Sequence, residues 1–373
     1  MQQLHEDITL NFMLNRLSRA VDADELRTFA TQIDGIESWV EHSLDAARQA
    51  ERAGRPNEAA HFYRGAEFFM TEDHPEKAEA YERFMSLYYE VHPEIAALRT
   101  TLVYGAGELA VIDIPSVGKE KDVIVACSGF DGLIEEMVPG MLELAENGYR
   151  CIIYEGPGQG SALRRSHLPM IYDWEKPVAV VLDHFRLDSC TLLGLSLGGY
   201  LAPRAAAFEQ RVKRLIAWGP MYDFIDCFRP RMGEETFAGL ISMIDAGQAE
   251  VINEVLMTRM EEDSTTKWSM AHGMHTCGGH SPFDFLSWAR TLNLKDVSHL
   301  IEQDTLIIAG TRDHLVPPEQ IWQQASALTN AHSVSVRICT EYEDASEHCQ
   351  VTNTSLVIAE IVSWMDKLDQ RDE

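Results

Sequence analysis

The feature that most constrains this chain is a serine among glycines where a strand-like segment meets a helix-like one. Gly194-Leu195-Ser196-Leu197-Gly198-Gly199 lies between the apolar run at 190–193 and the alanine-rich stretch at 201–208. A strand turning directly into a helix forces the residue at the turn into a strained backbone conformation. Neighbours without side chains are then needed for the chain to double back. Gly194, Gly198 and Gly199 supply that room, and the flanks have the required character: buried strand before, helix former after.

The rest of the chain gives this turn a frame. Residues 1–98 read as helices, because LNFMLNRLSRAV, ELRTFATQIDGIESWVEHSLDAARQAERAG and NEAAHFYRGAEFFM space apolar residues three and four apart. One helical pair resembles a tetratricopeptide hairpin, but no second copy follows at a fixed period, so a repeat solenoid is not expected. After Pro93 the texture changes. Short apolar runs at 109–115, 123–127, 151–154, 190–193, 215–218, 305–309 and 334–339, most separated by helix-length segments, predict a mostly parallel sheet covered on both faces. A helical insertion at about 221–302 interrupts the alternation, and is expected above the carboxyl ends of the strands, where open α/β sheets bind ligands. Two domains follow: a helical one over 1–98, and a catalytic one over 99–373 that carries the insertion as a cap.

A serine hydroxyl is a poor nucleophile at neutral pH, so Ser196 needs a base and a group that orients the base. Asp313 follows the strand ending at Ala309-Gly310 and is the expected orienting carboxylate. His348 follows the last strand and is the expected base. His314, directly after the acid, is a rival expected to face elsewhere. Charge developing on a substrate oxygen needs donors already in place. The backbone amides of Leu197, next to the nucleophile, and of Phe130, in the glycine-flexed Ser128-Gly129-Phe130-Asp131-Gly132 turn, are the candidates.

Composition removes other classes. A net charge of −28 repels phosphate backbones and anionic lipid, so neither nucleic-acid nor membrane partners are expected. No apolar run reaches membrane-spanning length, and the opening MQQLHEDITLNF has no signal pattern, which predicts a cytoplasmic protein. The 7 cysteines are scattered singly without a CxxC pair, as reduced thiols would be. Gly156-Pro157-Gly158-Gln159-Gly160 lacks the spacing of a dinucleotide loop, and no cofactor is expected. His272, His275, Cys277 and His280 form a dense cluster with metal-ligand chemistry, yet serine hydrolysis needs no metal, and a glycine-rich lid loop explains the segment more simply.

From about residue 109 onward the chain resembles an α/β-hydrolase, with the order serine, acid, histidine that this topology hands down. Gly129-Phe130-Asp131-Gly132, Glu155 to Gly160, the Ser196 turn and the helical N-terminal part narrow the resemblance. It is similar to the group containing 2,6-dihydroxypseudooxynicotine hydrolase, fungal yellowish-green pigment hydrolases and FrsA-like esterases. That resemblance implies hydrolysis of a carbon–carbon bond beside a ketone, in a β-dicarbonyl or hydroxyaryl ketone, and a homodimer formed through the helical parts. The nicotine-pathway member has an additional pocket glutamate after the strand that follows the nucleophile helix. Here that segment, Gly219 to Phe228, contains no glutamate: Asp223 or Asp226 stands in for it, or the role is absent. Ester, thioester or amide hydrolysis and acyl transfer therefore stay open, as does a receptor that binds without turnover. Expected substrate contacts are Asp131, Trp218, Met221, Tyr222, Asp223 and Phe224, which border the predicted site.

Overall fold

A computed structural model describes residues 2–372. Each predicted apolar run falls on a strand of one eight-stranded sheet: β1 (Arg99–Tyr104), β2 (Gly107–Ile114), β3 (Asp122–Cys127), β4 (Tyr149–Tyr154), β5 (Cys190–Leu195), β6 (Val212–Trp218), β7 (Asp304–Gly310) and β8 (Val334–Cys339). The order is β1-β2-β4-β3-β5-β6-β7-β8. Strands β4 through β8 run parallel with β3, whereas β2 pairs antiparallel with both β1 and β4. The antiparallel edge strand β1 is absent from the sequence reading. Its RTTLVY is half polar and has one exposed face, so it lacks the continuous apolar run of an interior strand.

The chain leaves β3 toward one side of the sheet and β5 toward the other. Between them lies a switch point, where the connections diverge and leave a crevice at the carboxyl ends. Interior strands here are covered on both faces: β7 is buried along its whole length and β3 along all but its first residue. Close approach explains the glycines of the turn after β5. A β-carbon on Gly194 would lie 1.9 Å from the Gly198 carbonyl oxygen, and one on Gly199 would lie 2.2 Å from that of Gly219.

The chain divides into two units, Met1–Ala97 with Ser242–Phe285, and Leu98–Ile241 with Leu286–Glu373. The middle of the insertion thus groups with the N-terminal helices rather than with the sheet. Trp268 shows why. Its ring stacks on Phe68 at 5.2 Å and meets Phe69 edge-on at 5.0 Å, and its indole N–H donates to the Phe68 carbonyl at 2.7 Å. In the same unit the fully buried Glu67 accepts from Arg64 at 2.6 Å and faces the Lys77 ammonium at 3.4 Å.

The histidine-rich segment expected to be a lid loop is instead largely helical, within Ser264–Cys277. His272 lies parallel to Trp268 at 5.9 Å and His275 faces Glu72 at 3.4 Å, so helical spacing directs these imidazoles to different neighbours. Among the described residues no three His, Cys, Asp or Glu side chains gather in a metal-binding group. No described helix is long and apolar enough to cross a membrane.

Candidate active site

Ser196 stands between the end of β5 and the helix Gly198–Ala206 with φ at 62°. This left-handed conformation costs a non-glycine residue on the order of 1–3 kcal/mol and persists only where the surroundings impose it. Here the Ser196 amide donates to the Trp218 carbonyl at 2.8 Å, and the Gly199 amide donates to the Ser196 carbonyl at 2.6 Å.

The hydroxyl of Ser196 lies 2.8 Å from Nε2 of His348, and Nδ1 of His348 lies 2.7 Å from Oδ2 of Asp313. The other oxygen of Asp313 accepts from the amides of Leu315 and Val316, both at 2.9 Å. Three residues remote in sequence thus form one hydrogen-bonded chain. Burial opposes charge on Asp313, but the neighbouring imidazole and the two amide donors outweigh it and hold the carboxyl below its ordinary range. Burial likewise disfavours protonation of His348. The Asp313 carboxylate, with a contribution from Cys349, overrides it and raises the imidazole well above its ordinary value.

The loop that presents His348 is strained and braced. Cys349 and Gln350 both have positive φ, at 51° and 47°. The Gln350 carboxamide accepts from the Trp218 indole at 2.7 Å and donates to the Glu347 carbonyl at 3.1 Å. Trp218, expected as a substrate contact, is buried and holds this loop; Met221 is buried as well. His314 does not face away: its ring meets that of His348 edge-on at 6.5 Å.

Across the crevice, Gly129 allows the loop after β3 to reach the nucleophile. A β-carbon there would lie 2.6 Å from Cβ and 2.8 Å from Oγ of Ser196, and 2.9 Å from the Leu197 nitrogen. The next residues, Phe130 and Asp131, are partly exposed. The Phe130 ring sits 5.3 Å from that of Phe224 and lies nearly parallel to Trp288 at 6.3 Å, while Phe224 meets Trp288 at 6.0 Å and Phe228 at 6.1 Å. Trp288 escaped the sequence reading because it lies 158 residues from Phe130, within an ordinary amphipathic helix.

Asp223 borders a cavity of about 450 Å³ together with Tyr222, Asp226, Arg229, Phe237 and Asn293. Its carboxylate accepts from Asn293 at 2.6 Å and lies 3.9 Å from Arg290. Burial, opposed by Arg290 and reinforced by Asp226, pushes its pKa up to about 6. Asp226 is engaged differently, paired with Arg229 at 2.8 Å.

A mostly parallel sheet with a serine on the strand-to-helix turn at its switch point is the architecture of the α/β-hydrolases. Residues 118–342, more than half of the chain, match the family model described as serine aminopeptidase, S33, and the chain belongs to that family. It is an enzyme of the hydrolase class, in a group shared with fungal hydrolases. Hydrolase LUC6 of Fusarium is 28% identical over 263 residues, which cover 66% of this chain and 61% of LUC6. Hydrolase acrC of Aspergillus aculeatus is 24% identical over 327 residues, covering 79% and 75%. The 20-hydroxy-prefusarin hydrolase FUS2 of Gibberella moniliformis is 30% identical over 185 residues, covering 46% and 43%. In fold, the chain is similar to 2,6-dihydroxy-pseudo-oxynicotine hydrolase, with a TM-score of 0.64 at 18% identity and 94% of each chain covered. It is also similar to AbyA5, with a TM-score of 0.68 at 19% identity, covering 97% of this chain and 95% of that one.

Proposed function

We propose that this protein is a serine hydrolase in which Ser196 is the nucleophile, His348 the general base and acid, and Asp313 the orienting carboxylate. Its substrate on this reading is a ketone cleaved at the adjacent carbon–carbon bond. The observation that carries the proposal is the hydrogen-bonded chain through both nitrogens of one buried imidazole, at 2.8 and 2.7 Å, from a serine held at positive φ.

His348 takes the Ser196 proton as Oγ attacks the ketone carbon, and the Phe130 and Leu197 amides receive the charge that builds on the carbonyl oxygen. The tetrahedral intermediate collapses, breaking the carbon–carbon bond, and the electron pair departs as an enolate or stabilised aryl carbanion. His348 returns its proton to that carbon. A water molecule, deprotonated by the same imidazole, then attacks the acyl-enzyme and releases a carboxylic acid. A carbanion is a poor leaving group, so the substrate must delocalise the charge, as a β-dicarbonyl or hydroxyaryl ketone does.

The rings of Phe224 and Trp288 gathered on Phe130, the residue after the Gly129 that touches Ser196, suit a flat, unsaturated or aromatic acyl compound of polyketide type. The second reading, an esterase, thioesterase or acyltransferase, is favoured by the two acids after β6: Asp223 is already engaged by Asn293 and Arg290, and Asp226 by Arg229.

Intact-protein mass spectrometry after exposure to a fluorophosphonate tests the core of the proposal. One adduct is expected on the wild type and none on Ser196→Ala or His348→Ala. Product from hydroxyaryl β-diketones with little from p-nitrophenyl esters selects carbon–carbon cleavage, and the reverse selects the esterase. A folded wild type that takes no label removes the mechanism.

A further inference from the structure

The chemistry above leaves the turn after β4 without a role, although Glu155-Gly156-Pro157-Gly158-Gln159-Gly160 is built tightly against the loop after β3. Gln159 is only 2% exposed. Its Nε2 donates to the Ser128 carbonyl at 2.7 Å and to the Gly129 carbonyl at 2.9 Å, while its Oε1 accepts from the Gly156 amide at 3.0 Å. Both halves of the carboxamide are thus spent inside the protein, and two of the three bonds end on the loop that touches Ser196.

The Gly129 carbonyl and the Phe130 N–H belong to one peptide group. A trans peptide is planar, with its C=O and N–H directed to opposite edges, so a bond that fixes the carbonyl also fixes the direction of the N–H. A carbonyl that accepts a hydrogen bond in a buried setting also polarises its own amide, making the N–H a stronger donor. Position matters here because Gly129 has no slack. A β-carbon would already collide with Ser196 and with the Leu197 nitrogen, the second candidate donor.

The support behind Gln159 is rigid. The Gly158 amide donates to the Leu168 carbonyl at 2.7 Å, and a β-carbon on Gly158 would lie 2.2 Å from Cβ of Met170. Gly156 packs as closely against Trp174. The buried Glu155 carboxylate accepts from both the amide and the hydroxyl of Ser161 at 2.7 Å. The glutamine therefore acts as a fixed post to which the loop after β3 is tied.

We infer that Gln159 is a positioning residue of the oxyanion site, orienting and polarising the Gly129–Phe130 peptide so that the Phe130 N–H meets the charge that develops on the substrate oxygen. This rests on the serine-hydrolase reading but on neither choice of scissile bond, since ketone, ester and phosphonate all place charge on that oxygen. An interaction strengthened in the transition state appears in the maximal rate and leaves ground-state binding nearly unchanged.

The test measures fluorophosphonate labelling of Ser196, resolved into a maximal rate and a half-saturating concentration, with thermal unfolding followed alongside. Gln159→Met keeps the length and removes the donor. It is expected to slow the maximal rate by about 10- to 100-fold, somewhat less than the loss of a whole oxyanion donor, and to leave half-saturation within about twofold. Gln159→Glu keeps the shape but points a carboxylate at two carbonyl oxygens. It is expected to be slow at neutral pH, and its rate relative to wild type is expected to rise as the pH falls and the carboxyl gains a proton to donate. A merely structural role would not produce that recovery. A Met variant labelled within about threefold of the wild-type rate overturns the inference, as does a Glu-to-wild-type ratio independent of pH. The second outcome decides the matter should the Met variant not fold. A wild type that takes no label at Ser196 strikes the underlying reading instead, whereas a labelled wild type with unaffected variants removes only the role of Gln159.

Discussion

His348 and His275 each face a carboxylate, Asp313 at 2.7 Å in one unit and Glu72 at 3.4 Å in the other, yet the two pairs are different physical objects. The side chains of His348 and Asp313 are 4% and 5% exposed; those of His275 and Glu72 are 25% and 41% exposed, and Glu72 also faces Lys77 at 3.3 Å. In the first pair desolvation raises the stakes of every charge, and the remaining imidazole nitrogen is aimed at a serine. In the second, the Glu72 carboxylate is open to solvent, which screens the interaction, although the His275 nitrogen that faces it is buried. A histidine beside an acid is thus a common motif whose chemistry is decided by burial and by what the second nitrogen meets.

The largest expected effect comes from breaking the buried pair while keeping its shape. Asp313→Asn is expected to lower kcat by about 10⁴-fold, the scale of the corresponding change in a serine protease. It also moves the pH profile. Asp313 raises the His348 pKa and burial lowers it, so in the wild type the acid limb of kcat/KM lies above the usual histidine value of about 6.5. With the carboxylate gone, burial is opposed only by the smaller contribution of Cys349, and the limb is expected to move down. A limb that stays in place would show that Asp313 does not set the base. The same shifts have a stability signature. The Asp313 contribution is present above about pH 3.9 and lost as pH falls through its lowered folded pKa. The His348 contribution is present below about 6.5 and lost as pH rises through its raised one. The pair therefore stabilises the fold most between those two values.

Asp223 lies between the extremes, its side chain 20% exposed and its pKa pushed up to about 6, mainly by desolvation. If it assists departure of a carbanion, Asp223→Asn is expected to cost about tenfold on a β-diketone and to remove an inflection near pH 6, with p-nitrophenyl ester hydrolysis changed less than about twofold. Equal effects on both substrates would assign it to architecture. The smallest effect is expected from the half-exposed pair. His275→Gln or Glu72→Gln should change unfolding free energy by less than about 1 kcal/mol and activity by less than about twofold, as urea titration and the same assays would show. A larger loss of activity would mean that the helix bearing His275 matters to turnover.

Much of the site was legible from residue chemistry because its local part obeys steric rules. Only glycine fits at 194 and 199, and a serine between such residues has one plausible architecture around it. Asp313 and His348 could be picked by their places after the last two strands. The bracing role of Trp218 is not legible in sequence for a reason equally physical: an aromatic residue at a strand end suits a pocket and a brace alike, and its choice of Gln350 depends on a loop 132 residues away. The role of Gln159 is invisible in the sequence, since its partners at 128 and 129 adjoin it only once β3 and β4 pair. The histidine cluster at 272–280 looked like one group in sequence and became several when a helix turned its members apart.

By itself, then, the sequence determined the interior strands of the sheet and the strained turn at Ser196, and it singled out the aspartate and histidine that meet that serine, because alternation, close approach and chain order are local or topological properties of the residues. Tertiary structure alone decided how far each histidine–carboxylate pair is desolvated, which aromatic rings gather beside Phe130, and which glutamine holds the loop after β3. Those are matters of desolvation and of contacts between residues far apart along the chain, and both arise only when the surfaces meet.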